Sequence, residues 1–372
     1  MNKKILFIMP YFIKDDFGGG AEVQAYLTAK NLSKFFDVYY ITSNPLNKEK
    51  FEIIENIKVF RILKNTSIYA IFDFPKVIYY LFKIKPHFIY LRMNYPFLLP
   101  VGIFSKFINS RTLWFSTEDI TIDYFFHIKS FFKYLKGYKK FYKVPFLFLN
   151  YLLYDICFCL GIYFMDKRIV QNKLQQKKLK EKFKLESDVI YSIIEIENEV
   201  FEKPREPLII WVSHLSERKR PELFIEIAKK LPEYKFIMIG SDSPNYPKER
   251  ILNNKPNNLE YLGKLTIDET NNYFRKAWIL VNTSFKEREG FPNTFLQAFK
   301  YRAVVVSISV DPDDILKNYK IGFLVGDLEN AIKVIKEIIE NEKLREEITQ
   351  RAYNYLINNH SVNNVLAIFG IF

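Results

Sequence analysis

Short runs rich in Ile, Val, Phe and Tyr alternate along the whole chain with longer stretches of helical periodicity, a pattern that leaves room for little besides parallel sheets covered by helices. In the first half the apolar runs are residues 5–9, 38–42, 57–62, 87–91, 112–115 and 168–171, with helices such as 21–34 and 96–108 between them. In the second half they are 208–212, 235–239, 259–262, 279–282, 304–307 and 322–325. Each set predicts one doubly wound sheet, so the fold class is α/β with two Rossmann-like domains facing a cleft. A length of 372 residues, 49% of them apolar, suits two cores. The break is expected in residues 195–207, which are polar, contain two prolines and have no periodicity. This organisation gives an amino-terminal domain over 1–200, a carboxy-terminal domain over 201–359 closed by two helices within 331–359, and an apolar tail, 360–372, packing near the interdomain cleft.

Charge narrows the partners. Lys and Arg number 55 against 42 Asp and Glu, a net +13 that attracts phosphates, nucleic acid or an anionic membrane. Fourteen Lys and Arg against four Asp and Glu fall between His127 and Glu186, in a stretch dense in Phe, Tyr and Leu. The basicity is local and reads as a membrane-facing region. No nucleic-acid-binding module is visible, so a nucleic acid is the weaker partner reading. Cys157 and Cys159, two residues apart in a helical run, point apart and predict no disulfide, consistent with a reducing, cytoplasmic compartment. The first twelve residues have the positive start and apolar run of a signal peptide but no small-residue cleavage site, and read better as a buried first strand. Residues 146–164 are nearly long enough to span a bilayer. Asn150 and Asp155 near the middle favour a buried or interfacial helix instead.

Three segments carry candidate chemistry. Gly18, Gly19 and Gly20 follow the first strand and enter a helix, so they either admit an anion to the helix start or form a bare turn; the spacing is not that of a dinucleotide loop. His214, Arg218, Lys219 and Arg220 lie between a buried strand and a helix marked by Pro221, where they either neutralise a diphosphate or form a solvated basic loop. Glu289, Gly290, Phe291, Pro292, Asn293, Thr294 and Gln297 follow another strand, in front of and within a helix begun by Pro292. A carboxylate there accepts hydrogen bonds from sugar hydroxyls, while the helix-start amides face an anion; the plain alternative is a capping Glu and an exposed Gln. Asp311 and Asp313 form a D-x-D pattern that reads as a helix cap rather than a metal site.

Taken together these segments resemble the retaining, nucleotide-sugar-dependent glycosyltransferases of the GT-B fold, family-4 type, also called glycosyl transferases group 1. The most specific stretch runs from Val281 through Glu289 and Thr294 to Ser307 and Asp313. The resemblance implies a donor site in the carboxy-terminal domain and an acceptor site in the amino-terminal one. By position, Lys219 looks like the residue that neutralises the donor diphosphate and Glu289 like the acid that contacts the donor sugar. Residues 290–294 would present backbone donors to the phosphates, and Gln297 stands where a second Glu grips the ribose. His214 replaces a common Arg, and Arg302 and Val304 replace a Gly and a Pro. No catalytic-loop histidine is seen; Ser116, Glu118 and Asp119 occupy that place and mark the acceptor side.

The resemblance thus implies transfer of a sugar from a nucleotide-sugar, with retention and without a metal or other cofactor, and the basic, aromatic region from Lys129 to Lys184 points to a lipid-linked or glycan acceptor in surface polysaccharide synthesis such as capsule or lipopolysaccharide. The expected location is the cytoplasm, peripheral on the inner face of the cell membrane. The substitutions at Gln297, His214 and Arg302 keep open a catalytically weakened partner subunit, and the net charge alone keeps open a nucleic-acid-binding protein.

Overall fold

The computed structural model describes residues 3–15, 18–64, 68–135, 142, 144–196, 201–243, 246–286 and 289–371. Lys136, Lys139, Lys140 and Lys143 of the basic stretch, and 197–200 of the polar segment, lie outside them. The chain divides into two units, Met1–Ile193 with Val362–Phe372, and Ile194–Ser361.

In the first unit β1 (Lys4–Ile8), β2 (Asp37–Ser43), β3 (Phe51–Ile54), β4 (Ile57–Leu63), β5 (Phe88–Arg92), β6 (Arg111–Phe115), β7 (Lys167–Val170) and β8 (Asp188–Val189) form one sheet in the order β3-β4-β2-β1-β5-β6-β7-β8. Every pairing is parallel except β3 with β4. Strand alternation sorts the helices. Ile5 and Phe7 pack with Ala25 and Ala29 of α1 (Gly20–Leu32) and with Val365, Leu366 and Phe369 from the chain's end. Leu6 and Ile8 share the opposite core with α2 (Phe74–Ile84), α3 (Leu98–Lys106), α5 (Val144–Gly161) and α6 (Lys173–Phe183). The short α4 (Phe126–Tyr134) precedes α5.

Helix α5 is apolar on all sides, yet its carboxylate is occupied inside the fold. Asp155, 1% exposed, accepts the backbone N–H groups of His127 and Ile128 and faces the His127 ring at 2.7 Å, anchoring the start of α4. Asn150 donates to the Phe146 carbonyl. At the other end Gly161 lies so close to α3 that an added Cβ would come 2.4 Å from the Leu99 nitrogen. Burial pushes the Cys157 thiol up to about 11 and raises that of Cys159.

The second unit holds β9 (Leu208–Val212), β10 (Lys235–Ile239), β11 (Leu259–Tyr261), β12 (Ile279–Asn282), β13 (Val304–Ser307) and β14 (Gly322–Leu324), all parallel, in the order β11-β10-β9-β12-β13-β14. Its helices are α7 (Pro221–Lys230), α8 (Glu249–Leu252), α9 (Ile267–Lys276), α10 (Asn293–Lys300), α11 (Ile315–Tyr319), α12 (Leu328–Glu340) and α13 (Glu342–Asn359), with α14 (Asn363–Leu366) returning to the first unit. The strands coincide with the apolar runs to within a residue or so, because a strand buried on both faces has to be apolar at nearly every position. Ahead of β9, Lys203 reaches into the unit and donates to the carbonyls of Phe274, Ala277 and Tyr301. Burial, together with nearby Arg345, pushes its ammonium down to about 7.

Candidate active site

In the second sheet β9 and β12 are neighbours, and the chain proceeds from β9 outward to β10 but from β12 outward to β13. Between their carboxyl ends lies the switch point where open α/β sheets receive ligands. The loops that leave these two strands hold Lys219 and Glu289.

After β9 the chain makes one 3-10 turn, Glu217–Lys219, and Arg220 takes a left-handed conformation, φ +44°, before Pro221 opens α7. Arg220 laces this turn to the loop after β12. Its guanidinium donates to the carbonyls of Thr283 and Ser284 and to the Ser309 hydroxyl, and lies 4.4 Å over the Phe285 ring. Thr283 accepts the Trp211 indole N–H at 2.9 Å and donates to the Lys219 carbonyl. The Phe285 amide donates to the Arg218 carbonyl at 3.0 Å. Lys219 is therefore presented from a braced turn rather than a loose loop.

Its ammonium contacts Oε1 of Glu289, which also accepts from the Ser284 hydroxyl at 3.2 Å. Both side chains are largely withdrawn from water, 13% and 10% exposed. Such a pair persists because each ion offsets the other's desolvation, and losing one partner leaves an uncompensated charge. Behind Glu289, Gly290 and Phe291 are buried, the Phe291 ring 4.9 Å from that of His360. Pro292, expected as the first helical residue, is the extended residue in front of α10, with φ −66° and ψ 117°. The proline ring fixes φ only, and ψ places it outside the helix. The amides of Asn293 and Thr294 belong to the first turn of α10, at the end whose dipole favours an anion.

Gln297 does not join the pair among the described contacts. Its amide donates to Asn271 Oδ1 of α9 at 3.1 Å. His214 lies with Nδ1 2.9 Å from the Ser241 hydroxyl. Burial, followed by the charges of Arg218 and Lys219, pushes its pKa below the usual histidine value, so the ring is neutral near pH 7 and adds no charge to the basic turn. Gly240 permits this approach, since at φ +155° an added Cβ would meet the Ser213 carbonyl oxygen at 1.6 Å.

In the first unit, Gly18 to Gly20 follow β1, whose neighbours are β2 and β5, the switch point of that sheet. Gly18 has φ +110° and Gly20 opens α1. The Gly19 amide donates to Glu22 Oε2 at 2.8 Å, so part of the anion-binding capacity foreseen in the loop is met from within the chain. Burial pushes the Glu22 carboxyl up. Of the residues after β6, Asp119 is buried and accepts from the amides of Asn172 and Gln175, which fixes the start of α6. The Ser116 hydroxyl is fully buried and has no hydrogen-bond partner among the described residues, whereas Glu118 is half-buried.

Residues 192–355 match the family described as Glycosyl transferases group 1. Over its whole length the chain is similar to sucrose-phosphate synthase from Thermosynechococcus elongatus, with a TM-score of 0.74 at 14% identity over 99% of this chain and 97% of that one. It is also similar to the Anabaena protein HepE in complex with UDP-glucose, at 0.71, 17%, 99% and 98%. For a glycosyltransferase from Rickettsia africae the same values are 0.70, 18%, 99% and 97%. The fold is GT-B. No curated protein was matched by sequence.

Two further residues of the second unit, the departure at Arg302 and the expected cap at Asp311, acquire a physical reading. Arg302 has φ +54°, a region that glycine enters freely and an L residue at a cost. Its guanidinium stacks 3.8 Å over Tyr353 and donates to Gln350, contacts that a glycine would lack. Asp311 accepts the amides of Leu316 and Lys317 and so caps α11; burial pushes its carboxyl up. Sequence reasoning missed the bracing by Arg220, Thr283 and Trp211. A basic residue beside Pro221 signals charge but not the carbonyls it reaches.

Proposed function

We propose that the chain transfers a sugar, with retention, from a nucleotide-sugar donor to a lipid-linked or glycan acceptor in surface polysaccharide or glycoconjugate synthesis, working in the cytoplasm at the inner face of the cell membrane. The observation that carries this reading is the contact of Lys219 with Glu289 at the switch point of the unit whose sequence matches the group 1 glycosyl transferases. A donor diphosphate competes for the Lys219 ammonium through charge-assisted hydrogen bonds. As the bond from the anomeric carbon to the diphosphate breaks, Lys219 and the first-turn amides of α10 meet the growing negative charge while the sugar becomes oxocarbenium-like. Glu289, released from the ammonium, accepts hydrogens from the sugar hydroxyls. The departing phosphate takes the acceptor's proton on the same face, so neither a protein nucleophile nor a metal is assigned. Gly18 to Gly20, Ser116 and Glu118 are assigned to the acceptor side, and Gln297 to the donor ribose if it leaves Asn271.

HepE is described in complex with UDP-glucose, which makes UDP-sugars the first donors to test. The test is thermal shift of the full chain against UDP-, GDP-, ADP-, CMP- and dTDP-sugars, since a ligand that binds only the native state raises Tm by mass action. Stabilisation by one nucleotide class, lost in Lys219→Ala, is expected. No shift with any donor favours the second reading, a weakened partner subunit, for which the tie of Gln297 to Asn271 and the neutral His214 speak.

A further inference from the structure

Helix α5 has two apolar faces, one turned into the core and one exposed among the described residues. Tyr154, Phe158 and Ile162 look into the core. On the other side Leu149, Leu153 and Leu160 are exposed, with half-buried Ile156 between them, at steps of three and four residues that draw one stripe along the helix. The apolar surface does not end with the helix. Phe164 packs onto α3 at Gly102, where an added Cβ would come 2.5 Å from its own, and Ile103, next to Gly102 in α3, and Phe107, just after α3, are exposed, the latter 72%. Contiguous apolar surface of this kind marks an interaction site.

The border of the stripe is basic. Lys106 closes α3, Lys129 lies on α4, Lys167 starts β7 and Lys182 lies in the last turn of α6, all exposed. Lys129 and Lys182 share one carboxylate, Asp123, and Lys106 pairs with Asp166, so four lysines face two carboxylates and the local balance stays positive. Tyr163 ties the end of α5 to that of α6 by donating to the Phe183 carbonyl, which keeps the lysines next to the aromatic rings. An apolar stripe within a cationic border, dotted with Tyr and Phe, complements the boundary between acyl chains and anionic headgroups. A second copy of the chain would bring a like-charged border against this one.

We propose that the outer faces of α3 and α5 seat the protein on an anionic lipid bilayer, α5 lying in the interface plane rather than crossing it. Val144–Phe164 is apolar enough to cross a membrane, but Asp155 ties it to the start of α4 and Gly161 abuts α3, which keep its inner face within the fold. The proposal deepens the reading of a membrane-bound acceptor, yet its test does not depend on transfer. Purified full-length protein is co-sedimented with vesicles of phosphatidylglycerol and phosphatidylcholine in equal parts, and with phosphatidylcholine alone. Binding to the anionic vesicles that weakens with salt, and falls tenfold or more in Phe107→Glu/Leu160→Glu while melting is unchanged, is expected. Lys219→Ala should bind vesicles as the wild type does, so failure of the donor reading leaves a separate signature. Absence of binding to anionic vesicles, or binding indifferent to the double variant, overturns the proposal. So does a dimer in light scattering that Leu160→Glu converts to monomer, which would assign the face to self-association.

Discussion

If Lys219 is shared between Glu289 and a donor diphosphate, the two partners must respond to mutation in opposite senses. Removing the ammonium in Lys219→Ala takes away a charge-assisted hydrogen bond to phosphate, worth about 1.5–3 kcal/mol, so the Kd for free nucleoside diphosphate rises about ten- to hundredfold. It also leaves Glu289, 10% exposed, with the Ser284 hydroxyl as its one described hydrogen-bond donor, a loss of about 3 kcal/mol in stability for a nearly buried pair. Glu289→Gln does the reverse on binding. It removes the anion that competes for the ammonium, and recovering even half of that bond tightens diphosphate about three- to tenfold, while transfer collapses because the carboxylate no longer meets the sugar. Isothermal titration with UDP, or whichever diphosphate stabilises the protein, reads both changes. If Glu289→Gln weakens the diphosphate as much as Lys219→Ala does, or if neither moves it, the competition mechanism is wrong.

Two further outcomes concern stability. Lys203 titrates at about 7 in the folded unit against 10.5 unfolded, so between those values the unfolded chain holds the extra proton and the lysine's contribution to stability rises with pH. Relative to wild type, Lys203→Met should therefore lose about 2 kcal/mol between pH 7 and pH 9 in denaturant titrations, and a difference that stays flat with pH refutes the depressed pKa. Asp155→Ala strands the two backbone amides at the start of α4 and should cost about 3 kcal/mol, with hydrogen exchange speeding up in α4 before anywhere else; unchanged exchange there would show that Asp155 is not the anchor.

The two sheets were legible because a parallel strand buried on both faces admits almost only apolar residues. Strands β3 and β8 were not. Phe51 to Glu52 lie exposed at a sheet edge, and the hairpin to β4 turns through Glu55 and Asn56, both at positive φ, without the glycine that usually signals such a turn. Strand β8 has two residues, too few for a period. At the candidate site, Lys219 and Glu289 stand out in the sequence by their places after strands, which topology converts into proximity. Directions of side chains are another matter. Seventy residues separate the two, and nothing in the spacing shows that they touch, that Arg220 turns back to three oxygens, or that Gln297 turns to Asn271. Asp119 shows the same limit, since in sequence a carboxylate after a strand looks alike whether or not it accepts from two side-chain amides of its own chain, as this one does.

The first unit is completed by a segment that follows the whole second unit in sequence. Val365, Leu366 and Phe369 sit in the same core as β1 and α1, and the Phe369 ring meets those of Phe36 and Phe88. The first unit therefore cannot close its core during synthesis until the chain beyond Ser361 has emerged, and for that interval it carries an open apolar socket. The two units, separate in their cores, are thus bound to one another in the order of their folding.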